Sequence, residues 1–304
     1  MGLTTSQPLL EQQFTLPPDI LIAGSIYFDI REMAGLASVN LRLRQMVKSA
    51  LLARAHGNIT KIIPTEHLPT FFATLDTTQS VIGGSIALAM VNPSLFANGP
   101  PTNLNVFAPT GMLKDWQTYL NNIDFVYLTE SPGFDKTSNR TVTFVSNNDG
   151  KNSKNTVVVC EAKGTSCLTP IMSSRYTCQM TFFTRNHIYC MHPHFTPQLK
   201  TLQITQDVND THRAQTGRLI ERGFVLIEPK EEVKLCAHNI LCRAVVRVVG
   251  RRPHRATQRP IEMIGILSLG TAKEDFLRSK RVQFSLGGIC DRYNCINQPD
   301  FDRT

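Results

Sequence analysis

Residues 80–109 read SVIGGSIALAMVNPSLFANGPPTNLNVFAP, and the fold turns on this stretch. Ser80–Gly83 is a short apolar strand that enters the turn Gly83-Gly84-Ser85, and Ile86–Val91 starts a helix. Asn103-Leu104-Asn105-Val106-Phe107 alternates polar and apolar, the period of a half-buried strand. Pro109-Thr110-Gly111 breaks it, and Met112–Leu120 has the spacing of an amphipathic helix. Strand, glycine turn, helix and strand in close succession predict an α+β (mixed α/β) domain.

Downstream, Thr141–Val145 and Thr156–Val159 are β-branched runs and read as strands. The polar stretch Ser146–Lys154 between them is a loop. Phe182, Phe183, Ile188, Tyr189 and Phe195 predict strand and core within 180–195. Asp210–Arg222 reads as a helix ended by Gly223. Phe224–Ile227, Cys242–Val249 and Ile261–Leu269 read as strands, and the tail 285–304 is rich in Gly, Asn and Asp. No internal repeat is present.

Upstream, Leu68–Leu75 is a short helix and 14–57 is helical. Thr15 can cap a helix opening at Pro17 or Pro18 with Asp19 in its first turn. A second helix starts at Asp29 and carries Met33, Leu36, Ala37, Leu41 and Leu43, with Arg42, Arg44 and Lys48 mostly off that stripe. A third runs Val47–Ala55 and ends at Gly57. Three short helices in so few residues bury little surface alone, so they need a neighbour or a partner. The chain therefore divides into a helical module at 14–57, an α/β core at 58–200 and a C-terminal α+β extension with four cysteines at 201–304.

The helical module resembles an F-box. The motif residues are Leu16-Pro17-Pro18-Asp19-Ile20-Leu21 and then Leu36-Ala37-Ser38-Val39-Asn40-Leu41-Arg42-Leu43-Arg44. The resemblance implies docking on the linker subunit of a cullin-based ubiquitin ligase, with Leu16, Pro17, Ile20, Leu21, Val39 and Leu43 as contact residues. Ile26-Tyr27-Phe28 departs from the shorter apolar turn usual in that family. The competing reading is a helical cap packed on its own α/β domain.

The α/β core resembles the nucleotidyltransferase fold, a mixed sheet with flanking helices. The closer likeness is to proteins of mushroom-forming (basidiomycete-type) fungi that join an F-box to such a domain, with patterns like G-S-x-A-L and N-D-L-D-L-Y-x-P. This chain has Gly84-Ser85-Ile86-Ala87-Leu88 and Thr102-Asn103-Leu104-Asn105-Val106-Phe107-Ala108-Pro109. The likeness continues through Pro170-Ile171, Met180–Thr184, Tyr189-Cys190-Met191-His192-Pro193 and Arg222-Gly223-Phe224. It implies that Gly83, Gly84 and Ser85 hold nucleotide phosphates, and that the next strand offers two acids to Mg²⁺.

Here those two positions hold Asn103 and Asn105. The strand expected to supply a third acid, Thr156–Cys160, is neutral throughout. Asparagine is nearly isosteric with aspartate but uncharged, and Mg²⁺ binds through carboxylates together with phosphates. The substitutions remove the charge stabilisation on which metal-assisted transfer depends. The expectation is a catalytically silent domain working by protein–protein contact, with no cofactor. Nucleotide binding or residual transfer with Mg-nucleotide is the alternative.

The chain has 304 residues, 41% of them hydrophobic, a composition that excludes wholesale disorder, and its formal net charge of +8 permits an anionic partner without requiring one. Six arginines, Arg243, Arg247, Arg251, Arg252, Arg255 and Arg259, fall in one run without an acid. A basic hairpin there could contact nucleic-acid phosphates; a solvated loop is the competing reading, since no aromatic residue is interleaved for stacking. Cys236 and Cys242, with Cys290 and Cys295, form two loose pairs that could make a structural tetrathiolate zinc site; thiols with no metal are the alternative. Cys160, Cys167, Cys178 and Cys190 read as core; His187, His192 and His194 crowd one region, with His192-Pro193-His194 spaced like a metal pair, but no carboxylate lies at helical spacing and the cluster reads as structural. The N-terminus shows no basic segment followed by an apolar run, and no stretch approaches the length of a membrane span, so the predicted setting is cytoplasmic or nuclear, away from membranes.

Overall fold

The computed structural model describes Gly24, residues 27–133, 137–147, 155–204 and 210–227, and the short stretches 247–250, 259–260, 264–268, 276–279 and 281–284. Strand β1 (Val81–Gly83) runs straight into helix α4 (Gly84–Val91), and β2 (Asn103–Ala108) returns antiparallel beside β1, with Gly83 opposite Asn105. On the other side of β2 lies β5 (Thr156–Ala162), in parallel, followed by β4 (Ser138–Ser146) and β3 (Phe125–Pro132) as an antiparallel hairpin. On the other side of β1 lie β6 (Thr181–Phe183) and β7 (His187–Cys190). With β12 (Ile264–Ser268) the sheet has eight strands in the order β12-β7-β6-β1-β2-β5-β4-β3. Among the described residues of this sheet only the β2–β5 pair is parallel, so the fold class is α+β with a mixed, mostly antiparallel sheet.

The sheet divides its faces by residue parity. Leu104, Val106 and Ala108 of β2 and Val157 and Val159 of β5 point to one side and share a single apolar core with α1 (Ile30–Val39), α2 (Leu41–Ile59), α3 (Leu68–Thr77), α4 and α5 (Leu113–Asn121). Trp116 of α5 is fully buried there and donates its ring N–H to Ser80 Oγ at 2.9 Å. On the opposite side, Val81, Phe182 and Tyr189 pack with α6 (Leu168–Met172) and with Val282 of β13 (Arg281–Phe284). A further unit, β8 (Lys200–Leu202), α7 (Asp210–Glu221) and β9 (Val225–Ile227), pairs its strands in parallel. It packs Leu219 and Phe224 against Leu88 and Tyr176.

The N-terminal helices follow their caps. Asp29 Oδ1 accepts the N–H groups of Arg31 (2.7 Å) and Glu32 (3.0 Å), and Glu32 Oε2 accepts the Asp29 N–H at 2.7 Å. This reciprocal pair satisfies donors that a helix start leaves open. The expected break between a segment through Leu43 and a third helix at Val47–Ala55 is corrected: it falls at Asn40, which is extended and accepts the Leu43 N–H at 2.8 Å. Gly57 does not end the helix, which runs on to Ile59. Nothing presses on Gly57, and packing of Leu51, Ala55 and Ile59 outweighs its weak propensity. Leu41, expected on the buried stripe, is 66% exposed because it opens the new helix at that corner.

These helices pack into the sheet's own core. Arg54 is the strut: its guanidinium donates to Met90 O at the end of α4 (2.9 Å) and to Phe28 O (2.8 Å). Burial pulls its pKa down to about 10 despite the nearby Asp29 charge.

Two further differences have simple causes. Strand β3 carries no alternation because every residue after Phe125 is exposed on this sheet edge, so nothing selects for an apolar face. Phe195 lies just before a short 3₁₀ turn (Thr196–Gln198), not in a strand. The C-terminal region also contributes to the main sheet, since β12 pairs antiparallel with β7.

Candidate functional site

The site expected from the glycine turn is built where β1 ends and α4 begins. Gly83 is the N-cap of α4 in extended backbone, and no side chain caps the helix, so its first N–H groups have no side-chain acceptor. Gly84 has φ +66°, a region that strains residues with a Cβ. The reason for two glycines lies on the adjacent strand. A Cβ on Gly84 would fall 2.2 Å from Asn105 Nδ2, and one on Gly83 would fall 2.6 Å from the Phe107 ring. Ser85 is half-buried in the first turn.

Asn103 and Asn105 share one face of β2 with Phe107, and all three are half-buried while the alternate residues are fully buried. The two amides are joined, Asn103 Nδ2 donating to Asn105 Oδ1 at 2.7 Å. Thus the structure sets Gly83 in register with Asn105 and Gly84 close against the Asn105 amide, with Asn103 one step along the same face. On β5 the register partners are Thr156 beside Asn103 and Val158 beside Asn105. The positions where a third acid would complete a cation site are therefore a hydroxyl and a hydrocarbon.

Glu161, the nearest acid in sequence, has the opposite parity on β5 and lies on the helix-covered side. Only 2% of it is exposed. It accepts hydrogen bonds from Gly111 N–H (2.8 Å), Asn139 Nδ2 (3.0 Å) and Arg140 Nε (3.0 Å). Burial pushes its carboxyl up, but these three donors and the Arg140 charge outweigh that and hold it below the usual carboxylate range. Its role is to tie the loop after β2 to β4 and β5. The sequence carries a faint signal of this: a single acid closes an otherwise neutral, β-branched strand.

The arrangement can offer neutral hydrogen-bond donors near the start of α4, but no charge to a metal from β2 or from the facing positions of β5. Among the described residues there is no group of three His, Cys, Asp or Glu side chains placed to hold a metal ion. His187 and His192 are buried and His194 is exposed. Cys160, Cys167, Cys178 and Cys190 are buried thiols, none of them in a disulfide. Burial raises the thiol of Cys178 to about 12 and that of Cys190 to about 11, so both stay protonated and unreactive.

The remaining expected site residues are scattered by the fold or lie beyond it. Val39 is 66% exposed at the α1–α2 corner and Leu43 is half-buried. Leu16, Pro17, Ile20 and Leu21 and the four cysteines Cys236, Cys242, Cys290 and Cys295 fall outside the described residues. Of the arginine run, Arg247 starts β10 (Arg247–Gly250) and Arg259 starts β11 (Arg259–Pro260). Those strands are parallel neighbours with Arg247 opposite Arg259. Among the described residues no helix is long and apolar enough to cross a membrane.

No protein-family model matches this chain, and no curated protein sequence matches it.

Proposed function

We propose that this chain is a non-catalytic interaction protein: an F-box-like helical segment on a nucleotidyltransferase-like domain that has lost its metal carboxylates. The observation that carries this reading is the composition of one sheet face. Asn103 and Asn105 stand beside Thr156 and Val158, and the nearby acid Glu161 is turned away and fully engaged. In-line phosphoryl transfer works by positioning and by neutralising charge with metal ions, and this face supplies no anionic ligand for them. The partner surface is the α1–α2 corner with exposed Val39 and half-buried Leu43, and the partner is the linker subunit of a ubiquitin ligase.

The test has two arms. Purified chain with Mg²⁺ and labelled nucleoside triphosphates gives no incorporation; incorporation abolished by Ser85→Ala would overturn the non-catalytic reading. Purified linker subunit binds the chain and loses binding to Val39→Asp/Leu43→Asp. Undiminished binding, or none, counts against the adaptor.

One observation favours a second reading, nucleic-acid binding: the β10–β11 register sets Arg247 and Arg259 at paired positions of neighbouring strands. It predicts a steep salt dependence that is reduced in Arg247→Ala/Arg259→Ala.

A further inference from the structure

A groove of about 500 Å³ lies between α3 and α5, away from the glycine turn. Its chemistry follows from where the hydroxyl protons go. Thr74 Oγ1 donates to Thr70 O at 2.9 Å, Thr77 Oγ1 to Thr74 O at 3.2 Å and Thr118 Oγ1 to Lys114 O at 3.0 Å. Thr78 is committed to Thr74 O and Ser80, and the Tyr119 hydroxyl donates to His67 O at 3.2 Å. Each lining hydroxyl thus spends its proton on the protein, and what it leaves for a ligand is lone pairs.

The charges point the same way. Asp115 lines the groove. The lining threonines of α3 sit in its last turns, the negative end of the helix dipole, and that last turn holds no basic residue. The other acid of that turn, Asp76, is paired with Arg185 at 3.3 Å. Met112, the threonine methyl groups and the Tyr119 ring supply apolar lining. The described residues around the groove offer one carboxylate, too few for a dedicated metal cage. We propose that this groove binds a small organic ammonium, with the cation at Asp115 and the threonine oxygens and the aliphatic body along Met112 and Tyr119. The site is independent of the glycine turn and of the adaptor reading.

The test uses the full chain at low salt and 1,4-diaminobutane as probe, followed by NMR shifts of the groove threonines and by calorimetry. Saturable binding is expected, with shifts confined to α3 and α5. It weakens about tenfold in Asp115→Asn, as for loss of a charge-assisted hydrogen bond, and falls further at raised salt. Butane-1,4-diol gives no saturable signal. Because Asp115 also sits in the first turn of α5, Thr118→Val is the second variant; it keeps the charge, removes one acceptor and weakens binding by a smaller factor. Binding that is unchanged in Asp115→Asn, equal binding of the diol, or shifts spread over unrelated acidic surfaces would overturn the proposal.

Discussion

Strands β2 and β5 present two faces that use polar residues in opposite ways. On the helix-covered face, Glu161 is almost fully buried yet holds three hydrogen bonds and a charge partner. On the other face, the half-buried Asn103 and Asn105 are neutral and bonded to each other. A buried anion is costly unless it is paired and bonded, and Glu161 meets that condition through Gly111, Asn139 and Arg140. The contrast teaches that the carboxylate next in sequence to the strand expected to supply a third acid can be structural, while the residues facing the glycine turn carry none. It also assigns the glycines: Gly83 and Gly84 are required by Phe107 and Asn105 lying across them, whether or not a phosphate ever binds.

The largest effect is expected where the two strands touch. Gly84→Ala adds left-handed strain to a contact of 2.2 Å with the Asn105 amide and should cost about 3 kcal/mol in chemical denaturation. In an Asn105→Ala background the nearest side-chain atom left is Cβ at 3.3 Å, so the same substitution should cost clearly less. Equal costs in both backgrounds would show that backbone strain alone fixes Gly84. Ser85→Ala makes neither contact and should change stability by less than about 0.5 kcal/mol.

Glu161 comes next. Glu161→Gln keeps the shape but loses the charge, and should cost about 2 kcal/mol. Arg140 is 43% exposed, so solvent screens its ion pair, and the bonds from Gly111 and Asn139 carry much of that figure. The sign of the pH dependence follows from the lowered folded-state pKa. Stability from Glu161 is fully present above the unfolded-state value of about 4.3 and is lost as pH falls through the folded value. Acid titration of the unfolding midpoint should therefore be shallower in Glu161→Gln below that value. Parallel titration curves would remove Glu161 from the account.

How much of this was legible in the sequence depends on the range of the interaction. The alternation at Asn103–Phe107, the β-branched runs and the Asp29 cap are local, and each forms the element its pattern implies. The helix break at Asn40 was hidden because the apolar spacing continues across it, and only the side-chain bond to Leu43 N–H decides it. Strand β3 was hidden because an exposed edge imposes no pattern. For the site, the pairing of Gly83 with Asn105 could be expected from order along the chain. The face on which Glu161 lies could not be read without the strand register, since a shift of one residue would put it beside Phe107, on the face of Asn103 and Asn105. The hydroxyl-lined groove of α3 and α5 gave no sequence signal, because it depends on two helices meeting across the chain.

A smaller effect than that of Glu161 is the most direct probe of the neutral face. Asn103→Asp/Asn105→Asp replaces a 2.7 Å amide–amide bond with two carboxylates and should cost about 1 kcal/mol without divalent ions, the site being half-exposed. The same change restores anionic oxygen beside the first turn of α4, so Mn²⁺ or Mg²⁺ should recover that loss as a concentration-dependent rise in melting temperature. The wild-type chain should show no such rise. If the double variant responds and the wild type does not, the two strand positions alone decide whether this face can hold a cation. A response already present in the wild type would mean that carboxylates from elsewhere reach this face, and the contrast between the two faces of β2 and β5 would fail.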